Sequence, residues 1–434
     1  MAQSDTIERP EDQQAKLIEM FSVNSQAGNA GLDADRDYSD AINALREAGS
    51  VQKGSPRSLL GLPEVIGGTM VEREDWTLLG FDACERGFRE NMIFSSEIMA
   101  ESAGLKQVGP TILQMIGKEH KRNRAVAQPL FLRPRTMDWW KPNWIDEAVT
   151  ALLTPLESKT RADLNLELCA WLPMFVVTRS LGLAGKDELD FRFHLTRSTF
   201  GARDHTPEEV AESRQLVDGI LTEMVASRRA QPQDDVVSGL LENEMKLPDG
   251  TTRKMTQDEL FSFAKLVIFA GGGTTWRQLG ITIDALLTHR EVWEECRANR
   301  DLIEAAVDEA LRWRATSGNF YRVATQDVEV DGVTIPRGAR VNLWLAAANR
   351  DPRMFDNPDV FDIHRPKQHH LGFGLGPHRC LGMDVAKQEM IAAINGLMDR
   401  WPNLRYDPEA PKPVFAGLDM RGMTALPVVL DQTA

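Results

Sequence analysis

The chain has 434 residues, 42% of them hydrophobic and 26% charged, and a formal net charge of -14. That balance supplies a full globular core, and so acidic a protein is a poor partner for nucleic acid, because phosphates would be repelled over most of its surface. The four cysteines (Cys84, Cys169, Cys296 and Cys380) lie far apart with no CxxC pair. This spacing argues against a structural zinc and a disulfide scaffold, and suits a reducing compartment.

The opening stretch MAQSDTIERPEDQQAKLIEMF is polar and mixed in charge, with no signal-peptide core and no apolar membrane anchor. The expectation is a cytoplasmic protein with an irregular or partly helical lead-in over 1–35 and one domain over 36–434. No repeat, linker or low-complexity segment interrupts it. In GKEHKRNR, His120 and Arg124 are four apart and share one helical face. A long helix opens at MTQDEL, where Thr256 and Glu259 form a capping box and Met255 and Leu260 a hydrophobic staple. It runs apolar to Leu287 across Gly271, Gly272 and Gly273, each of which costs about 1 kcal/mol in a helix interior. Close packing of another element, a break into two helices, or a local opening beside a ligand would each account for the run.

A second helix is predicted over Asp301 to Trp313, with Ile303, Ala306, Val307, Ala310 and Leu311 as its apolar stripe. VEVDGVTIPRGARVNLW then reads as short strands turning at Asp331-Gly332 and Pro336-Arg337-Gly338. The order predicts a mainly α fold with a minor β region, not alternating βαβ units.

The segment Phe373-Gly374-Leu375-Gly376-Pro377-His378-Arg379-Cys380-Leu381-Gly382 carries the chemistry. Its early glycines permit a tight loop and close approach of a flat ligand. Cys380 precedes a helix expected to begin near Leu381, where the dipole and free amides favour a thiolate. A thiolate is a good iron ligand and donates density that favours O–O cleavage.

This segment matches the cysteine-loop pattern F-G-x-G-x-H-x-C-x-G of the cytochrome P-450 superfamily at every specified position, and the chain resembles that family from about Asp82 to Leu430. The resemblance implies a cytochrome P-450 fold with a single heme domain. It also implies heme b (iron protoporphyrin IX) with Cys380 as axial metal ligand, and cofactor contacts from Phe373, Gly374 and Gly382. His120, Arg124, Arg322 and His378 match propionate-binding positions. Glu309 and Arg312 match the family's E-x-x-R motif, and Arg365 would complete a structural network behind the heme.

Ala270-Gly271-Gly272-Gly273-Thr274-Thr275 is similar to the family's A-G-x-(D/E)-T-T. Gly272, Gly273 and Thr274 therefore fall at catalytic positions, with Thr274 as the implied proton-relay alcohol. Gly273 stands where the family carries an acid, so a water or a substrate hydroxyl would have to substitute. Trp276 and Arg277 have no family role; Arg277 reads either as a buried structural cation or as a contact to a polar substrate.

By family position the substrate pocket draws on Met92, Phe94, Phe269, Ala270, Thr316, Asn319, Phe415 and Leu418, and its apolar set suits an uncharged organic molecule. The implied activity is O2-dependent monooxygenation of a small organic substrate. Electrons would come from NAD(P)H through a separate ferredoxin and ferredoxin reductase, with Lys118, Lys121, Arg122 and Arg379 as a basic docking face. A peroxygenase, a rearrangement or coupling enzyme, and a non-catalytic heme sensor are the alternatives.

Overall fold

The computed structural model describes residue 29 and residues 31–33, 36–64, 71–183, 187–200 and 205–431. The lead-in expected over 1–35 falls almost wholly outside the described residues. In chain order, α1 (Ser39–Ala48) leads into β1 (Val51–Lys53), β2 (Asp75–Leu78), α2 (Phe81–Arg89) and β3 (Phe94–Ser95). Helices α3 (Gly117–Ala127), α4 (Leu172–Ser180), α5 (Asp187–Phe200), α6 (Pro207–Ala230), α7 (Gln257–Thr288) and α8 (Leu302–Trp313) make up much of the middle of the chain. Strands β4 (Phe320–Ala324), β5 (Val328–Val330), β6 (Val333–Ile335) and β7 (Arg340–Leu343) follow, then α9 (Met383–Arg400) and the hairpin β8 (Phe415–Ala416) and β9 (Gly422–Met423).

The main sheet has the order β1-β2-β7-β4-β3. Its β2 and β7 run parallel, with Arg340 opposite Asp75, and the other pairs are antiparallel. The β5–β6 hairpin turns at Asp331 (φ 48°) and Gly332 (φ 77°), the left-handed pair that a two-residue turn requires. Strands and helices thus follow the predicted order, and the fold is mainly α.

Helix α7 is the axis of the larger core. Its capping box forms as expected: Glu259 N donates to Thr256 Oγ1 at 3.2 Å and Thr256 N to Glu259 Oε2 at 2.8 Å. From Thr275 to Leu286 every residue is buried, including Trp276, whose Nε1 donates to Asn165 Oδ1 at 3.0 Å. The glycine run neither breaks nor opens the helix. It answers to close packing: a Cβ on Gly271 would lie 2.8 Å from Val177 Cγ2 of α4, and one on Gly272 would collide with the Arg192 guanidinium of α5. Helix α9 begins two residues later than expected, at Met383 with Gly382 as its N-cap, so Cys380 lies in the bend ahead of the helix.

Candidate active site

The cysteine loop is held by its own backbone. Gly374 N donates to Leu371 O at 2.8 Å and Cys380 N to Phe373 O at 2.9 Å. Gly374 and Gly376 both take left-handed conformations (φ 63° and 66°), and a Cβ on Gly376 would approach Phe88 O of α2 to 2.7 Å, so only glycine lets the loop lie against that helix.

A relay of buried bonds ties this loop to α8. Glu309 takes a bidentate pair from Arg312, at 2.7 and 2.8 Å, and Arg365 Nε approaches Glu309 Oε1 at 3.4 Å. Arg312 Nη1 donates to Asn349 O at 3.0 Å, and Asn349 Oδ1 accepts from Leu371 N at 2.7 Å. The implied three-residue network is thus assembled, and Asn349 carries it to the loop.

Cys84, Cys169 and Cys296 are buried, whereas the Cys380 thiol is accessible. Burial nevertheless raises its pKa above the ordinary thiol value, outweighing the lowering by the Gly382 amide, Arg124 and Arg379. The helix-end stabilisation of a thiolate expected from the sequence is therefore overridden by desolvation in the protein alone. Cys380 is thus exposed and yet closely surrounded by protein.

Helix α7 has an accessible stretch of its own. Ala270 is exposed, and Gly271, Gly273 and Thr274 are half-buried, within a helix otherwise sunk in the core. Thr274 Oγ1 donates to Ala270 O at 2.8 Å. Phe269 on this helix and Leu381 beside Cys380 pack against one apolar cluster that includes Leu105, Ile112 and Leu266. The end of the cysteine loop and the start of the accessible stretch of α7 therefore pack against the same cluster.

Four basic side chains converge at the edge of the loop. The His120 and His378 rings are 4.2 Å apart, and Ser96 Oγ lies 3.2 Å from His378 Nε2. Burial, then His120, Arg322 and Arg124, pushes His378 down to about 3; burial, then Arg124, pushes His120 to about 4; and burial lowers Arg322 to about 10. His120 Nε2 and Arg322 Nε are buried without hydrogen-bond partners. No carboxylate appears among the groups that shift these three, so the donor set is complementary to an acid supplied from outside the chain. A porphyrin with two propionates, its iron facing a cysteine thiol, fits that set.

The family profile described as Cytochrome P450 matches residues 186–414. The biotin biosynthesis cytochrome P450 of Bacillus subtilis is 34% identical over 72% of this chain and 78% of its own length. Nocardicin C N-oxygenase of Nocardia uniformis is 33% identical over 73% of this chain and 79% of its own.

The chain belongs to the cytochrome P450 family.

Among solved structures, P450BioI in complex with a hexadec-9Z-enoic acid-ligated acyl carrier protein superposes with a TM-score of 0.76 at 28% identity, covering 91% of this chain and 99% of that one. Members of the family are monooxygenases that carry heme b through an axial cysteine thiolate. Among the described residues of this cytochrome P450, no helix is long and apolar enough to cross a membrane.

The residues expected to line the substrate pocket are dispersed. Phe269 and Ala270 lie on the open stretch of α7. Phe415 is buried in the core of this P450 and Phe94 in a second cluster. Leu418 packs with Tyr38, Ile42 and Trp344. Thr316 Oγ1 donates to Arg421 O at 2.8 Å, and Asn319 Nδ2 reaches Asn342 Oδ1 at 3.4 Å. Met92 is 58% exposed, beside Gly117 at the start of α3. Sequence reasoning did not single out Arg192, because nothing local in DELDFRFHLTRSTF marks it; its place against Gly272 is a purely tertiary contact.

The depressed His120 has a measurable consequence in the heme-free protein. Its folded pKa lies below the unfolded value of 6.5, so the unfolded chain binds more protons between about 4 and 6.5. Apoprotein stability should fall as pH drops through that window, by on the order of 3 kcal/mol from this group. Denaturant titrations at about pH 7.5 and pH 4.5 check this; a loss undiminished by His120→Gln would contradict it.

Proposed function

We infer that Cys380 is the thiolate ligand of the heme iron and that Thr274 is the alcohol beside the oxygen site. The enzyme inserts one atom of O2 into a C–H bond of a small organic substrate, giving hydroxylation or O-dealkylation. The observation that carries this reading is the exposed Cys380, whose neighbour Leu381 packs against the same apolar cluster as Phe269 at the start of the accessible stretch of α7. When bound, the heme supplies the activation of dioxygen by electrons.

The balance is R–H + O2 + NAD(P)H + H+ giving R–OH + H2O + NAD(P)+. One C–H bond is replaced by C–O, the second oxygen leaves as water, and the nicotinamide supplies both electrons through a ferredoxin and its reductase. Lys118, Lys121 and Arg379 are exposed and Arg122 half-buried, which suits a basic docking face for an acidic ferredoxin.

His120, Arg124, Arg322 and His378 hold the propionates, and Phe373, Gly374 and Gly382 shape the loop around the ligand sulfur. Thr274 holds a proton at Oγ1, which its bond to Ala270 O orients. Gly273 contributes no acid, and ordinary contact distances surround the place of its missing Cβ (Arg277 Nη1 at 3.4 Å, Arg192 Nη2 at 3.9 Å), so a water there or a substrate hydroxyl completes the relay.

Thr274→Ala should keep NADPH oxidation while product falls by about 10²-fold, the remainder appearing as hydrogen peroxide. Unchanged coupling would remove Thr274 from the relay. The missing acid also favours a second reading, a peroxygenase. Turnover with surrogate ferredoxin, reductase and NADPH supports the monooxygenase; equal turnover with peroxide alone and none with NADPH would support the other.

A further inference from the structure

A cation that the site described so far does not use lies beside Gly273. Arg277, one turn further along α7, is 2% exposed. Its Nη1 donates to Gly273 O at 3.0 Å, and its Nε and Nη2 are buried with no hydrogen-bond partner. Its guanidinium carbon lies 4.1 Å from the Trp276 ring centroid, and its stem lies under Gly422 of β9, where an added Cβ would come within 3.1 Å. Burial and then Arg192 lower its pKa only to about 9, so it remains charged at neutral pH.

Arg192 reaches the same turn from α5. It is buried, its Nη1 donates to Ile268 O at 3.3 Å, and its guanidinium covers Gly272. A Cβ at position 273 would meet Arg277 Nη1 at 3.4 Å and Arg192 Nη2 at 3.9 Å. Two guanidiniums thus converge on the one position of the run where a side chain would fit. Among the described residues no carboxylate is found to pair with Arg277. A buried guanidinium with two unmet donors, as Arg277 has, calls for an acceptor, and guanidinium forks are matched to carboxylates.

We propose that the substrate is a carboxylate, an organic acid with a largely apolar body whose acid group docks at Gly273 between Arg277 and Arg192. This rests on the monooxygenase reading and narrows it: the uncharged substrate expected from the apolar pocket residues is replaced by an amphipathic anion, whose carboxylate takes the place of the water or hydroxyl at Gly273. Arg277 selects the substrate, and Arg192 encloses the charged end from α5.

The test uses heme-loaded protein and two matched pairs of probes, decanoate with decanamide and 4-cyclohexylbenzoate with its amide, titrated by calorimetry and by the heme spectral shift. At least one acid should bind about 30-fold or more tightly than its amide, and Arg277→Met should abolish that preference. Gly273→Asp, which places the chain's own carboxylate between the guanidiniums, should raise the melting temperature by about 3 °C and erase the preference as well. The proposal is overturned if both acids bind no better than their amides, absence of binding included, if Arg277→Met retains the preference, or if Gly273→Asp lowers the melting temperature. Failure of the monooxygenase reading shows separately, as a missing thiolate spectrum or no NADPH-driven turnover of any substrate, neutral or charged.

Discussion

Cys380→Ala is expected to abolish oxygen insertion while leaving the protein folded. The substitution removes only an accessible sulfur, and the loop's own bonds, from Gly374 N to Leu371 O and from residue 380 N to Phe373 O, do not depend on it. Heme should still be taken up, because His120, Arg124, Arg322 and His378 remain to meet the propionates. What is lost is the anionic sulfur whose electron donation favours O–O cleavage. NADPH-driven product should drop to the level seen without protein, at near-normal heme content. Product within tenfold of the unsubstituted enzyme would show that another group ligates the iron.

Glu309→Ala should have the largest effect on stability, about 3–5 kcal/mol. Glu309 and Arg312 are 6% and 2% exposed, and removing the carboxylate leaves a buried guanidinium without its counterion. Asp362 N, which donates to Glu309 Oε1 at 3.0 Å, and Arg365 lose the same acceptor. Since Arg312 also holds Asn349 O, and Asn349 holds Leu371 N, the damage should reach the cysteine loop as faster heme loss. Arg312→Lys keeps the charge but not the bidentate fork, and should fall between the two. Denaturant midpoints and heme transfer to apomyoglobin measure both effects; a loss under about 1 kcal/mol would make the network a peripheral ion pair.

The parts of the fold set by local chemistry were legible in the sequence. The Thr256–Glu259 capping box, the Ile303 to Leu311 stripe and the Asp331-Gly332 turn each depend on residues within a few positions of one another, and each forms. The cysteine loop was legible for the same reason: its glycines and its cysteine act within one short bend.

What depended on distant packing was not legible. The glycine run admits three explanations until Val177 and Arg192 are seen against it. The start of α9 moves to Met383 because the chain is still bending at Cys380, which burial rather than the helix end then governs. Thr316 and Asn319 look like free polar contacts in the sequence, yet their bonds go to Arg421 and Asn342. Arg277 is visible in the sequence, but its burial and its unmet donors beside Gly273 depend on the fold.

The ligation by Cys380 is tested most directly by the visible spectrum of the heme-loaded, dithionite-reduced protein under carbon monoxide. A strongly red-shifted Soret band of the thiolate type, present in the unsubstituted protein and absent in Cys380→Ala, is the predicted result. A band at the position given by histidine-ligated heme, or a thiolate band that survives the substitution, would contradict it.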